Sequence, residues 1–148
     1  MFSRILYVCI GNICRSPMAE ALTKHALAEA GMGNVEIASA GLGAVVGKGA
    51  HPTTVELVGE RGIDLTGHIA RQLTADMLRP YELVLTMEQW QVREVERLSP
   101  SARGKVFRLG HWGGFDIPDP NGKSRELFVE VMRLIDRGVA DLQRVLKA

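Results

Sequence analysis

Cys9-Ile10-Gly11-Asn12-Ile13-Cys14-Arg15-Ser16-Pro17 follows the apolar run Ile5-Leu6-Tyr7-Val8 and leads into Met18-Ala19-Glu20-Ala21-Leu22. The apolar run reads as a buried strand over 5–9, and the stretch beyond the quoted segment as a helix over 17–30. Ser16 is the expected N-cap, Pro17 suits the first helical position, and Gly31 stands just past the end. A strand that turns through Gly and Asn straight into a helix opens a βα unit. The rest of the chain repeats that rhythm, with strands expected over 35–38, 83–86 and 106–109. Helices are expected over 53–61, closed by Gly62, then 88–98 and 125–146. In the last one Phe128, Met132, Ile135, Val139, Leu142 and Leu146 keep helical spacing. This alternation predicts an α/β fold: a four-stranded parallel sheet with helices on both faces and the quoted loop between its first strand and first helix. Ligands of such sheets sit beyond the carboxyl ends of the strands, which is where this loop lies.

The loop's residue types suit an oxyanion. A helix amino terminus offers unpaired N–H groups and the positive end of the helix dipole. Gly11 permits the backbone torsions that turn successive N–H groups toward one anion, and Asn12 tolerates left-handed torsions nearly as well. A thiol among such amides and beside a guanidinium is favoured as the thiolate, and a thiolate is a good nucleophile. Arg15 has the planar fork that grips two phosphate oxygens, and the Ser16 hydroxyl is placed to donate to the Cys9 sulfur. Taken singly, Cys9 would be core and Arg15 a surface charge. Their joint spacing between a strand and a Pro-initiated helix points to a phosphate loop. The Walker-type spacing is absent, which disfavours nucleotide hydrolysis.

The remaining composition narrows the class. The chain has 148 residues, 46% hydrophobic and 24% charged, with a net charge of +1. One domain over 1–148 is expected, with a core that needs no disulfide or metal. The charge gives no reason to expect nucleic acid as partner. The early apolar run is too short for a signal-peptide core or a membrane span, so the cytoplasm is the expected location, with no direct membrane insertion. Two cysteines and four scattered histidines supply no metal-ligand spacing, and no metal or other cofactor is expected.

Phosphoester cleavage requires a proton for the departing oxygen. The best donor lies in Phe115-Asp116-Ile117-Pro118-Asp119-Pro120-Asn121-Gly122, after the last strand and therefore at the same sheet edge. Asp119 is favoured because flanking prolines stiffen its mount. Asp116, without that brace, reads as a solvated turn residue and is the fallback acid.

At this point the chain resembles the low-molecular-weight protein tyrosine phosphatases. The resemblance covers essentially the whole chain: the Cys9–Ser16 loop, Ser39-Ala40-Gly41, His68-Ile69-Ala70-Arg71-Gln72 and Asp119-Pro120. Residues 41–49 and Gly110-His111-Trp112 are similar to the bacterial members from capsule and exopolysaccharide operons, which dephosphorylate a membrane tyrosine autokinase. The resemblance implies that Cys9 is the nucleophile, Arg15 the phosphate clamp and Asp119 the general acid, with Ser16 assisting the thiolate and inorganic phosphate as product. It further implies that Asn12, Ser39 and His68 hold the loop in shape. Substrate contacts are expected from Gly11, Asn12, Ile13, Cys14, Ser16, Val45 and Asn121. Two positions depart from the family pattern: Asn121 follows the Asp-Pro where an aromatic residue is usual, and the opposing wall falls at Val45. Cys14 is either a small apolar filler or, by the resemblance, a reversible disulfide partner of Cys9.

Three rivals share the scaffold. Thioredoxin-coupled arsenate reductases need later cysteines, and none follows Cys14. Protein-arginine phosphatases normally carry threonine at the position of Ile13. A non-catalytic phosphopeptide-binding module would have no need of both Cys9 and Asp119.

Overall fold

The computed structural model describes residues 2–147. Strand β1, Arg4–Cys9, is followed by helix α1, Arg15–Glu29, strand β2, Glu36–Gly41, and helix α2, Pro52–Gly59. Strand β3, Leu83–Thr86, leads to helix α3, Gln89–Leu98; strand β4, Val106–Arg108, is followed after a 3-10 turn and a loop by helix α4, Arg125–Lys147. The four strands form one sheet in the order β2-β1-β3-β4, and every pairing is parallel. This is the expected architecture.

Side-chain alternation along β1 divides the core in two. Ile5, Tyr7 and Cys9 face a core built with α1, α2 and α4, whereas Leu6 and Val8 face one that includes Val92 and Val95 of α3. Helices therefore cover both faces, and β1 is buried from Ile5 to Cys9. A polar atom in so dry a place needs a partner: the Tyr7 hydroxyl meets Thr23 Oγ1 at 2.7 Å.

Several boundaries move. Helix α1 starts at Arg15, with Cys14 rather than Ser16 at the N-cap and no side-chain capping bond, because the Ser16 hydroxyl is engaged elsewhere. Strand β2 begins at Glu36 and runs on to Gly41, since it pairs with β1 along its whole length. Helix α2 starts at Pro52 behind His51, whose Nδ1 accepts from Thr53 N–H at 3.1 Å, and it stops at Gly59. Leu109 belongs to the turn Leu109–Trp112 rather than to β4. Met132 is half-buried at the edge of the core, while its neighbour Val131 is fully buried.

Candidate active site

Strand β1 lies between β2 and β3, so the chain leaves its carboxyl end at the point where the sheet's connections diverge. A crevice opens there by topology alone. The loop from Ile10 to Cys14 fills its floor, close against β2. A Cβ on Gly41 would sit 2.3 Å from the Ile10 carbonyl oxygen and 3.1 Å from Asn12 N, so only glycine admits the loop here. The left-handed residue is Asn12, at φ 57°, and not Gly11, whose φ is ordinary and which has room for a Cβ. Among the described residues, the backbone N–H groups from Gly11 to Ser16 donate to no protein acceptor, with Pro17 closing the run. A row of free donors at a helix start is an anion site.

Asn12 holds that shape. Its Oδ1 accepts from Arg71 N–H at 3.0 Å, which assigns the amide orientation because a backbone N–H only donates. Its Nδ2 then donates to Ser16 Oγ at 2.8 Å and to Ser39 Oγ at 3.0 Å. The Ser39 hydroxyl in turn donates to Glu20 Oε1 at 2.6 Å, and His68 Nε2 meets the Asn12 carbonyl at 2.6 Å. Ser16 Oγ lies 2.9 Å from Cys9 Sγ. Since Ser16 accepts from Asn12, its hydrogen is free to be donated to the sulfur.

Arg15 is 1% exposed. A guanidinium that deep requires fixed partners. Its Nη1 donates to Glu88 Oε2 at 2.7 Å and to the Ile117 carbonyl at 2.8 Å. Its Nη2 stands 3.9 Å from Asp119 Oδ2, and neither Nε nor Nη2 makes a hydrogen bond to protein among the described residues. One edge of the fork is thus anchored and the other is free for an oxyanion. Asp119 is exposed, with Oδ1 accepting from Asn121 N–H at 3.0 Å. Asp116 departs from the expected solvated turn: its carboxylate is tied to Arg108 and to Gln89 N–H.

Cys9, Ile13, Cys14, Arg15, Val45, Asp119 and Asn121 line one pocket, together with Gly11. Its walls are aliphatic at Ile13 and Val45 and polar at Asn121. Both cysteines are free. Burial pushes the Cys14 thiol up to about 12, with charge at Cys9 and Asp119 adding to the rise and Arg15 opposing it. Cys14 therefore remains a thiol at neutral pH.

Glu20, Arg71, Gln72 and Glu88 escaped the sequence reading as participants. Arg71 also donates from Nε to the Ser39 carbonyl at 2.9 Å. Gln72 grips the segment beside Val45, accepting from Ala44 N–H at 2.9 Å and donating to the Leu42 carbonyl at 2.8 Å. The stretch 68–72 carried a signal only as a block, and Glu88 carried one only as the second residue after β3.

Comparison with known proteins agrees with this geometry. The model of the low molecular weight phosphotyrosine protein phosphatase family matches residues 4–148. The chain is 44% identical to the low molecular weight protein-tyrosine-phosphatase Wzb of Escherichia coli K12, over 100% of this chain and 98% of that protein. It superposes with a TM-score of 0.91 on the crystal structure of the Erwinia amylovora tyrosine phosphatase amsI, at 43% identity over 98% of this chain and 93% of that one. A structure of the YwlE arginine phosphatase, as a mutant with a phosphorylated active-site serine, also gives 0.91, at 33% identity over 97% of this chain and 95% of that one. The run of free amides from Gly11 to Ser16, and Cys9 and the half-free Arg15 in one pocket, are carried by a match that runs nearly end to end. On that ground the chain belongs to the low molecular weight phosphotyrosine protein phosphatase family.

Proposed function

We propose that this protein-tyrosine phosphatase works through a cysteinyl-phosphate intermediate, with Cys9 as nucleophile, Arg15 as clamp and Asp119 as acid and then base. The observation that carries the reading is that Cys9, Arg15 and Asp119 line a single pocket above the free amides of residues 11–16. The phosphate oxygens take the loop N–H groups and the free Nε and Nη2 of Arg15, so the charge that develops on them meets donors already in place. The Cys9 sulfur attacks phosphorus in line, forming S–P while the P–O bond to the leaving group breaks. That oxygen takes the Asp119 proton and departs neutral. Water then attacks phosphorus, Asp119 recovers the proton, the S–P bond breaks, and inorganic phosphate leaves. The Ser16 hydroxyl stabilises the sulfur as attacker and again as leaving group.

The substrate proposed is a phosphotyrosine protein, namely a membrane tyrosine autokinase of exopolysaccharide production. Similarity to Wzb supports that assignment. Ile13 gives the pocket an apolar wall suited to an aryl ring rather than a guanidino group. Val45 and Asn121 offer no aromatic stacking, each such wall being worth roughly 1 kcal/mol. Small aryl phosphates are therefore poorly selected, and docking of the protein substrate supplies the specificity. The enzyme acts in the cytoplasm; among the described residues no helix is long and apolar enough to cross a membrane.

The test is turnover of phosphotyrosine peptides and phosphoarginine protein by the parent, Cys9→Ser and Asp119→Ala chains. Cys9→Ser abolishes turnover yet still binds inorganic phosphate. Asp119→Ala slows poor leaving groups by about 100-fold or more, the scale of general acid catalysis. Full activity in Cys9→Ser, or preference for phosphoarginine, overturns the reading.

A further inference from the structure

The segment that carries Asp119 has no regular secondary structure from Phe115 to Pro120. Side chains and isolated backbone bonds must hold it. Ile117 provides two: its N–H donates to the Met87 carbonyl at 2.9 Å, and its carbonyl accepts from Arg15. Asp116 provides the next two through one oxygen. Its Oδ1 accepts from Gln89 N–H at 3.0 Å and from Arg108 Nη1 at 2.9 Å.

Those donors come from different elements. Gln89 is the first residue of α3, so its N–H is one of the orphan donors of a helix start, where a carboxylate is favoured by the dipole. Arg108 is the last residue of β4. The Asp116 carboxylate therefore ties the loop to α3 and β4 together. Glu88, the residue before Gln89, holds Arg15. The start of α3 is in consequence a common mount: one residue sets the phosphate clamp and the next sets the loop bearing the acid. Between Asp116 and Asp119 the chain has little slack, because Pro118 has a locked φ and Ile117 is pinned at both ends.

We propose that Asp116 is a positioning residue for Asp119: clamped between the Gln89 amide and the Arg108 guanidinium, it fixes the loop so that the Asp119 carboxyl faces the leaving oxygen. This rests on the reading of Asp119 as the proton donor. Asp116 takes no part in the proton transfer itself. Its side chain is 46% exposed and that of Arg108 22%, so water screens the pair from the aspartate side and it adds only modestly to global stability. Loss of the clamp is accordingly felt more in the chemistry than in folding.

The experiment measures kcat/KM for phenyl phosphate and p-nitrophenyl phosphate in Asp116→Ala, Asp119→Ala, the double variant and Arg108→Gln, with inhibition by inorganic phosphate as a binding control. Asp116→Ala lowers kcat/KM for phenyl phosphate by about 10- to 100-fold, the scale of a misplaced catalytic group. The good leaving group of p-nitrophenyl phosphate needs little protonation, so its loss stays within about 3-fold. Inhibition by phosphate is unchanged, and Arg108→Gln moves the same ratio in the same direction. The double variant is no slower on phenyl phosphate than Asp119→Ala, because a residue acting through another has nothing left to position. Equal loss on both substrates, no loss, or an additive double variant overturns the proposal. If Asp119→Ala shows no dependence on leaving group while Asp116→Ala does, Asp116 is itself the acid and the reading of Asp119 fails with it.

Discussion

Asn12 shows what one side chain must do for a loop of this kind. A left-handed torsion at a residue with a Cβ costs about 1–2 kcal/mol, less for asparagine. The buried amide offsets that cost with bonds to Ser16, Ser39 and Arg71. Replacing it separates the two contributions. Asn12→Ala loses the bonds and keeps the torsional strain, destabilising the fold by roughly 2–4 kcal/mol. Asn12→Gly loses the same bonds without the strain, so its urea midpoint lies above that of Asn12→Ala. Phosphate, which binds only the folded loop, raises both midpoints. Equal midpoints for the two variants would mean that the torsion stores nothing. At this scale Cys9, Arg15 and Ser16 were legible because they are near in sequence and their spacing is itself the geometry. Glu88 was not, since it reaches Arg15 from 73 positions away. Gly11 was misread for a related reason: the residue type allows the special torsion, but only the packing of the loop decides which residue adopts it.

Among the elements, β1 and α4 announced themselves by apolar pattern, whereas α1 did not. Its first turn is buried all round, Arg15 to Ala19, because one side packs on the core through Met18 and Ala19 while Arg15 and Ser16 close the site. Periodicity has nothing to register there, and only Ser16 and Pro17 marked the start. Ser16 resembled an N-cap because it precedes a proline, but its hydroxyl is engaged by the Cys9 sulfur and the Asn12 amide. Strand β2 ends where sequence pattern is weakest, at Ser39-Ala40-Gly41, yet that end decides whether the loop can close. Two glycines test the point in opposite directions. At Gly41 an added Cβ meets backbone atoms that cannot yield, so Gly41→Ala is expected to cost about 1–3 kcal/mol and most of the activity. At Gly59, on the exposed end of α2, an added Cβ meets nothing, and Gly59→Ala is expected to gain about 0.5 kcal/mol with turnover unchanged. Thermal melts of both variants check this. A tolerated Gly41→Ala would show that the loop has slack the geometry does not indicate.

For the molecule as a whole, the strand order β2-β1-β3-β4 could not be read from alternation, which fixes layers but not neighbours. Two weak acids are buried, Tyr7 in β1 and Cys14 at the start of α1, and this sets how stability responds to base. Cys14 is held neutral by burial, its thiol moved from an ordinary value near 9.0 up to about 12. The Tyr7 hydroxyl is also raised by burial, against a smaller opposing effect of its bond to Thr23. A raised group is protonated in the folded chain where the unfolded chain has already ionised. Its contribution is thus full below the unfolded value and is lost as pH climbs toward the folded one. Urea midpoints should hold steady from neutral pH to about 9 and then fall, by up to about 1.4 kcal/mol per pH unit for each group. The acid side works in reverse. Glu82 is lowered by the Ser3 hydroxyl and amide, Asp64 by the Thr66 hydroxyl and amide, and Glu130 by Arg133. Those contributions are present above the ordinary carboxylate range and lost as pH falls through it, and salt weakens the exposed Glu130 pair further. Cys14→Ala isolates the base-side effect: it removes the first part of the alkaline decline and leaves the acid limb unchanged. A decline of the same slope in that variant would place the loss on Tyr7, and Tyr7→Phe, which flattens the remainder only if the buried hydroxyl is responsible, tests that assignment.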